Sequence, residues 1–143
     1  MTLRGRLRWM VGCIVLVAAL SVGREARAAI PTAQLELALD AAERGLAMDP
    51  NDPNLHETAG VLLHRLRRSG EALRHFRRAR ALAPLRFSPA YNEAMVLLDL
   101  HVFRDAIEPL TAALVMRPRD YMTLLGMAMA IWHQPHATAE EEL

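Results

Sequence analysis

The stretch that decides the fold is residues 53–86, which read PNLHETAGVLLHRLRRSGEALRHFRRARALAPLR. The 34 residues that follow directly, 87–120, repeat its pattern as FSPAYNEAMVLLDLHVFRDAIEPLTAALVMRPRD. The same step of 34 relates two series, Ala38, Ala72, Ala106 and Pro50, Pro84, Pro118. A fixed period of this length, marked by a small residue and a helix-terminating proline, is typical of an array of helix–turn–helix units. Such arrays usually bind other polypeptides.

The composition favours helices. The chain has 143 residues, enough for one domain of ordinary size, with 52% apolar but only 5% aromatic residues. Alanine, leucine, methionine and arginine favour helices, whereas β-branched and aromatic residues, which favour strands, are scarce beyond residue 30. The sequence therefore predicts an all-α fold.

The N-terminal segment has the pattern of a secretory signal. Arg4, Arg6 and Arg8 precede an apolar run at residues 9–22, and a small-x-small site, Ala-Arg-Ala, ends at Ala28. The run is shorter than the ~20 residues that span a bilayer as a helix. We therefore predict a signal peptide at 1–28, cleaved between Ala28 and Ala29, and export to a bacterial periplasm. The alternative is an uncleaved anchor in the inner membrane formed by residues 9–22.

Residues 1–28 also differ from the rest of the chain in net charge and cysteine content. The net charge of the whole chain is +1, but residues 29–143 carry 12 arginines against 15 acids, a net charge of −3. The single cysteine, Cys13, lies in the apolar run, so the rest of the chain can form no disulfide. That composition is compatible with an oxidising compartment.

Helix boundaries can be predicted from prolines and capping residues. We predict helices at 33–48, 54–66, 70–82, 89–100, 103–116 and 121–132. A proline disfavours helical geometry in the residue before it, so each recurring proline should end a helix. Asp52 before Pro53 and Ser88 before Pro89 place a capping side chain ahead of a first-turn proline, and Asp120 can cap the last helix.

The repeat resembles the tetratricopeptide repeat. At the family's positions 8, 11, 20, 24, 27 and 32, the unit 53–86 has Gly60, Leu63, Ala72, Phe76, Ala79 and Pro84. The unit 87–120 has Ala94, Leu97, Ala106, Leu110, Ala113 and Pro118 there. Half units at 33–50 and 121–133 complete an array at 29–133, followed by an acidic tail at 134–143. The resemblance implies a short right-handed solenoid of antiparallel helix pairs.

The units depart from the family pattern at a few positions. Position 4, where the family prefers Trp or Leu, holds His56 and Ala90, and position 7, usually a large apolar residue, holds Ala59 and Glu93. Pro109 falls inside a predicted helix, where it removes one hydrogen bond and should bend the helix. We expect these departures to weaken each unit without breaking the register.

The resemblance implies a peptide-binding groove. In this family the first helix of each unit lines a concave groove through positions 2, 5, 9, 12 and 13, and Asn92, at position 6, could bind a peptide backbone. The candidate protein-binding residues are Asn54, Glu57, Val61, His64, Arg65, Ser88, Tyr91, Asn92, Met95, Leu98, Asp99, Met122, Leu125, Met129, Trp132 and His133. Tyr91 and Trp132 are favoured as groove residues, whereas Met95, Leu98 and Met129 fit a groove and a core equally well.

Some members hold a peptide carboxylate through Lys and Asn. Glu57 and Val61 stand at those places here, so no such clamp is expected.

The last predicted helix, at 121–132, is apolar on nearly every face, which is unsuitable for a solvated end cap. It would pack on a further part of a longer array, on a second copy, or on a partner. An incomplete or degenerate array is the favoured interpretation, with self-association through residues 121–132 second.

Eight arginines lie at 65–86 against one acid, Glu71. The face opposite Ala72, Phe76 and Ala79 carries Arg74, Arg77 and Arg78, so these should point to solvent. No aromatic residues interleave with them to stack bases, and we expect no nucleic-acid partner.

We find no catalytic constellation and expect no metal or cofactor. His133 and His136 have a metal-like spacing, but Pro135 intervenes and no further ligand completes a set. We expect an exported, non-catalytic scaffold that binds a protein or peptide. The alternative is a membrane-tethered structural subunit that self-associates through its last helix.

Overall fold

The computed structural model describes residues 31–134, and every regular element in that stretch is an α-helix. The helices are α1 (Thr32–Met48), α2 (Pro53–Arg65), α3 (Ser69–Leu82), α4 (Phe87–Asp99), α5 (Phe103–Met116) and α6 (Tyr121–Trp132). This confirms the predicted all-α fold. The predicted signal at 1–28, its cleavage site at Ala28 and Ala29, and residues 135–143 of the predicted tail, His136 included, lie outside the described residues.

The recurring prolines end helices as predicted. The helices α1, α3 and α5 each stop two residues before one of them, Pro50, Pro84 or Pro118. A proline ring clashes with a helical residue before it, so the chain leaves the helix there. Pro109 lies buried inside α5, which continues on both sides of it.

Two of the three predicted helix caps form. The Asp52 carboxylate accepts from the Asn54 backbone N–H at 2.7 Å, and Asp120 accepts from the Thr123 N–H at 2.9 Å. The Thr123 hydroxyl and backbone N–H both bind Asp120, and these hydrogen bonds lower its carboxyl pKa.

The prediction for Ser88 is wrong. Helix α4 begins at Phe87, so Ser88 lies in the first turn, and Arg86 precedes the helix without a side-chain cap. Pro89 then falls at the third helical residue. A first-turn proline is tolerated because backbone N–H groups there have no partner within the helix.

The two tight turns within helix pairs have the same backbone. Arg67 after α2 and His101 after α4 both adopt positive φ, 63° and 59°. The backbone N–H of Arg68 donates to the Leu63 carbonyl, and Val102 donates to Leu97, each at 2.9 Å. These are Schellman-type turns, which reverse the chain while satisfying carbonyls at the helix end.

Neighbouring helices pack in series, α2 on α3, α3 on α4, α4 on α5 and α5 on α6. Two clusters of buried residues result, and Leu73 of α3 packs against both. The first cluster contains Leu39, Ala42, Ala59, Leu63, Ala72, Phe76 and Val96. The second contains Ala94, Leu97, Leu98, Ala106, Leu110 and Ala130. The small residues that recur in the sequence are thus contact points between helices.

Candidate functional site: the surface of the first helices

The first helices of the repeat, α2, α4 and α6, lie side by side. Nε2 of His64 in α2 is 3.2 Å from an Asp99 carboxylate oxygen in α4, and Asn92 donates to Glu57 across the same pair at 3.5 Å. A Cβ built on Gly126 in α6 would touch side chains of α4. The structure therefore brings the predicted site residues of these three helices together, and we call that set of residues the first-helix surface.

One end of the first-helix surface is polar and contains an open cleft of about 360 Å³. The cleft is lined by Asn54, Glu57, Thr58, Val61, Leu62 and Arg86. Arg86 donates to Asn54 Oδ1 at 2.8 Å, and its guanidinium lies 3.2 Å from Glu57 Oε2. Because Arg86 directly precedes α4 and the other two residues belong to α2, this pairing joins the end of the unit 53–86 to its first helix.

Arg86 was missed as a site residue by the sequence analysis, which treated it as one of the clustered arginines. Arg86 is the last residue of a unit and stands just before the next first helix. That position could have indicated its place in the site. Arg65, a predicted site residue on α2, is exposed.

The other end of the surface is apolar. Leu98 is buried in the second core, and Met95 is half-buried against that core. Leu125, Met129 and Trp132 on α6 are all exposed. Of the residues that the sequence left between groove and core, the structure thus places Leu98 in the core, Met95 at its border and Met129 at the surface.

Tyr91 is half-buried within a row of stacked groups. Its ring lies 5.2 Å from the Phe87 ring at an interplanar angle of 21°, and the Arg117 guanidinium lies 4.3 Å from the centroid of Phe87. Aromatic and cation–π contacts of this kind hold the rings in place. His133 stacks on Phe103 of α5, with centroids 4.4 Å apart.

Glu93 is a buried charge that the sequence presented only as a departure from the family pattern. Its side chain is 3% exposed and is bound by two arginines of α3. Arg77 donates to Oε1 at 3.0 Å, while Arg80 Nε lies 2.8 Å from Oε2 without a well-directed hydrogen bond. Arg80 also binds Glu108, and the hydrogen bond to Glu108 together with the charge of Glu93 raises the Arg80 pKa.

The prediction that Arg74, Arg77 and Arg78 point to solvent is confirmed by their exposure, and Arg77, with 54% of its side chain exposed, also pairs with the buried Glu93 carboxylate. Arg74 is exposed, as expected, and Arg78 donates to Asn51 Oδ1 at 2.7 Å. Part of the arginine cluster is thus used within the fold, because a carboxylate inside the array needs cationic partners.

His56, which occupies position 4 of its unit, pairs with His75 of α3. Their Nδ1 atoms are 3.1 Å apart, and His56 Nε2 lies 3.0 Å from the Pro50 carbonyl oxygen. A carbonyl only accepts, so in the neutral pair His56 carries its proton on Nε2 and His75 donates from Nδ1. Burial, and secondarily the His56 charge, lowers the His75 pKa.

Two further observations concern the described residues. Between residues 31 and 134, no helix has the length and hydropathy of a membrane span, and no cluster of three or more His, Cys, Asp or Glu side chains could hold a metal ion. An open depression of about 440 Å³ lies at residues 117–120, none of which is a predicted site residue.

Comparison with solved structures identifies the architecture. The chain matches a structure described as the first TPR of Spaghetti (RPAP3) bound to the HSP90 peptide SRMEEVD, with a TM-score of 0.64 and 17% sequence identity over 70% of this chain and 81% of that one. The chain has the tetratricopeptide-repeat fold. A second repeat structure, a double mutant described as MamA RS-1 ArsTM, matches with a TM-score of 0.64 and 25% identity.

The MamA match covers 67% of this chain but only 54% of that one, so this tetratricopeptide array spans about half of that protein. No family model matches the sequence. No curated protein matches it either.

Proposed function

We propose that this chain is a non-catalytic scaffold that binds a segment of another protein along the first-helix surface. The observation that carries the proposal is the cleft where Arg86, just before α4, pairs with two predicted binding residues of α2, Asn54 and Glu57. The fold adds support, since a repeat domain of the same architecture is described in complex with a peptide.

The side chains of the surface suggest the chemistry of the bound segment. At the α2 end, the paired Glu57 and Arg86 offer a carboxylate and a guanidinium to polar groups. At the α6 end, the exposed Met129 and Trp132 can bury apolar side chains, and residues of these types are common anchors at interfaces. The segment would therefore be polar at one end and apolar at the other, and the array would present this surface preformed.

Affinity capture from the envelope fraction, with the purified chain as bait, tests the proposal. Tyr91→Ala and Trp132→Ala should each reduce the captured partner, because each removes an aromatic anchor. Val115→Ala is the matched control, since Val115 is an exposed apolar residue of the second helix α5. Undiminished capture by both aromatic variants, or an equal loss with Val115→Ala, would contradict binding at this surface.

The proposed compartment is the bacterial periplasm. It rests on the three arginines before residue 9, the apolar run at 9–22 and the small-x-small site that ends at Ala28. Mass spectrometry of the N-terminus of the exported protein should find Ala29. An intact N-terminus on membrane-bound protein would instead favour an anchor at residues 9–22.

One observation favours a second candidate, a membrane-tethered structural subunit that self-associates through α6. This helix exposes large apolar side chains, including Leu124, Ile131 and Trp132. Sedimentation over a range of concentrations tests it, and a monomer at every concentration would refute it.

A further inference from the structure

Helix α6 is a first helix whose covering partner is absent among the described residues. In a complete unit, the second helix covers positions 4, 8 and 11 of the first helix. In α4 these positions are Ala90, Ala94 and Leu97, whose side chains are 0%, 0% and 2% exposed. This contact surface is therefore fully buried in α4, and in α2 only His56, at position 4, is partly exposed.

The corresponding residues of α6 are open. They are Leu124, Ala128 and Ile131, and Leu124 and Ile131 are 46% and 56% exposed. Ala128 is exposed as well. The face that holds a helix in both complete units is thus present in α6, apolar and uncovered.

Helix α1 shows the converse arrangement. It is the second helix of a unit, and its contact positions 20, 24 and 27 hold Ala38, Ala42 and Gly45. In the complete units these positions are fully covered, as Ala72 and Ala79 illustrate with 0% exposure. In α1 the first of them, Ala38, is exposed, and Gly45 is partly exposed beside Leu55 of α2, whereas Ala42 is 5% exposed and packs in the first core, so the open part of this face is centred on Ala38.

The two incomplete ends complement each other in register. Helix α6 covers positions 1–12 of a unit and α1 covers positions 14–30, so together they make one unit without overlap.

The sequence after α6 differs from that of the turn that closes a complete unit. That turn depends on positive φ at position 15, where Arg67 and His101 stand in the complete units. The residue at position 15 after α6 is Pro135, and a proline ring fixes φ near −65°. Pairing of α6 with a helix from another chain needs no such turn.

We propose that α6 of one copy packs against the open face of α1 of a second copy and completes a repeat unit between them. The contact continues the interface that α2 makes with α3 and α4 makes with α5. Because it joins two different surfaces, it is heterologous and leaves a free α1 at one end and a free α6 at the other, so copies add head to tail. The proposal names α1 of a second copy as the surface that α6 binds when the chain self-associates. It does not depend on peptide binding.

Two arginine substitutions test this arrangement in the purified full chain. Ala38→Arg blocks the α1 face and Ile131→Arg blocks the α6 face, and both sites are exposed helical positions that accept arginine. Ala81→Arg and Val115→Arg, at exposed positions of α3 and α5, are the matched controls. Circular dichroism and the melting temperature establish that all four variants fold.

The weight-average mass from sedimentation equilibrium is the readout. The parent and both controls should grow with concentration beyond twice the monomer mass, whereas Ala38→Arg and Ile131→Arg should each stay monomeric. An equimolar mixture of these two variants should form a dimer and stop there, because each variant retains the face that the other has lost.

Three results would overturn the proposal. A parent that stays monomeric at all concentrations would exclude assembly. A dimer that survives Ala38→Arg but not Ile131→Arg would indicate that α6 pairs with itself. Assembly that survives both substitutions would locate the contact elsewhere, for example at residues 9–22.

Discussion

The Phe76 ring lies so close to Gly60 that any side chain added at this position should lower the stability of the fold. A Cβ built on Gly60 would stand 2.7 Å from one ring carbon and 2.9 Å from two others. Carbon atoms prefer separations of about 3.5 Å or more, so the ring would have to retreat by about 0.8 Å. Phe76 is 1% exposed and surrounded by core residues, so the movement is resisted.

Two effects of Gly60→Ala therefore oppose each other. Overpacking of a core costs about 1–3 kcal/mol. The higher helix propensity of alanine raises the free energy of unfolding by about 1 kcal/mol relative to glycine. We expect a net loss of about 0–2 kcal/mol in the free energy of unfolding, measured by urea denaturation followed by circular dichroism.

The second complete unit indicates which second substitution should remove the clash. There Ala94 faces Leu110 at the positions of Gly60 and Phe76. In a Phe76→Leu background, Gly60→Ala should therefore stabilise by about 1 kcal/mol, since the propensity gain remains and the clash is gone. Gly70→Ala is the matched control, because a Cβ there meets no atom within 4 Å. If Gly60→Ala stabilised the parent by the same amount as the Phe76→Leu variant, the close approach would play no part.

Four further substitutions test the internal contacts. Arg80→Met should lower the unfolding free energy by about 1–3 kcal/mol, because it leaves the buried Glu93 paired with Arg77 alone. Glu93→Met should change the unfolding free energy by less than about 1 kcal/mol or raise it, because it removes the buried charge itself. Equal losses for the two variants in urea denaturation would contradict this reasoning. Arg67→Gly should stabilise by about 0.5–1 kcal/mol because it relieves positive φ in a residue with a side chain, and an unchanged or lower melting temperature would count against that account. The folded-state pKa of His75 is lowered, so the unfolded chain binds its proton more tightly, and stability should fall as pH drops below about 6.5 toward the folded value. His75→Gln should flatten that part of the stability–pH curve, and an unchanged slope would exclude His75 as its source.

The helices could be predicted closely because their ends depend on local chemistry. The prolines at 50, 84 and 118 exclude helical geometry just ahead of them, and a capping carboxylate at Asp52 or Asp120 satisfies N–H groups of its own helix. Neither effect needs a distant partner. The prediction for Ser88 failed because the same serine–proline pair fits a helix that begins two residues earlier, at Phe87, and the local sequence does not distinguish the two starts.

The contacts between distant side chains were harder to predict because they join residues far apart in the sequence. Glu93 looked like a defect at an apolar position, yet it is matched by arginines 13 and 16 residues earlier on the preceding helix. Arg86 reaches back to Asn54, 32 residues upstream. A charge at an apolar repeat position, together with opposite charges on the preceding second helix, is the pattern that would have indicated such a pair.

The two proposed contacts of α6 use different sides of one helix and can therefore be refuted separately. Leu125, Met129 and Trp132 occupy positions 5, 9 and 12 on the first-helix surface, whereas the proposed contact with α1 uses positions 4, 8 and 11. Ile131→Arg should thus abolish assembly yet leave partner capture by each monomer intact, and Trp132→Ala should do the reverse.

If both contacts exist, head-to-tail assembly would bring the α6 end of one surface next to the α2 end of the following copy. A partner long enough to cross that junction would then bind assembled chains more tightly than monomers, since its second contact would be intramolecular. Capture by the parent should in that case exceed capture by Ile131→Arg at equal chain concentration. Equal capture would mean that partners bind within a single copy.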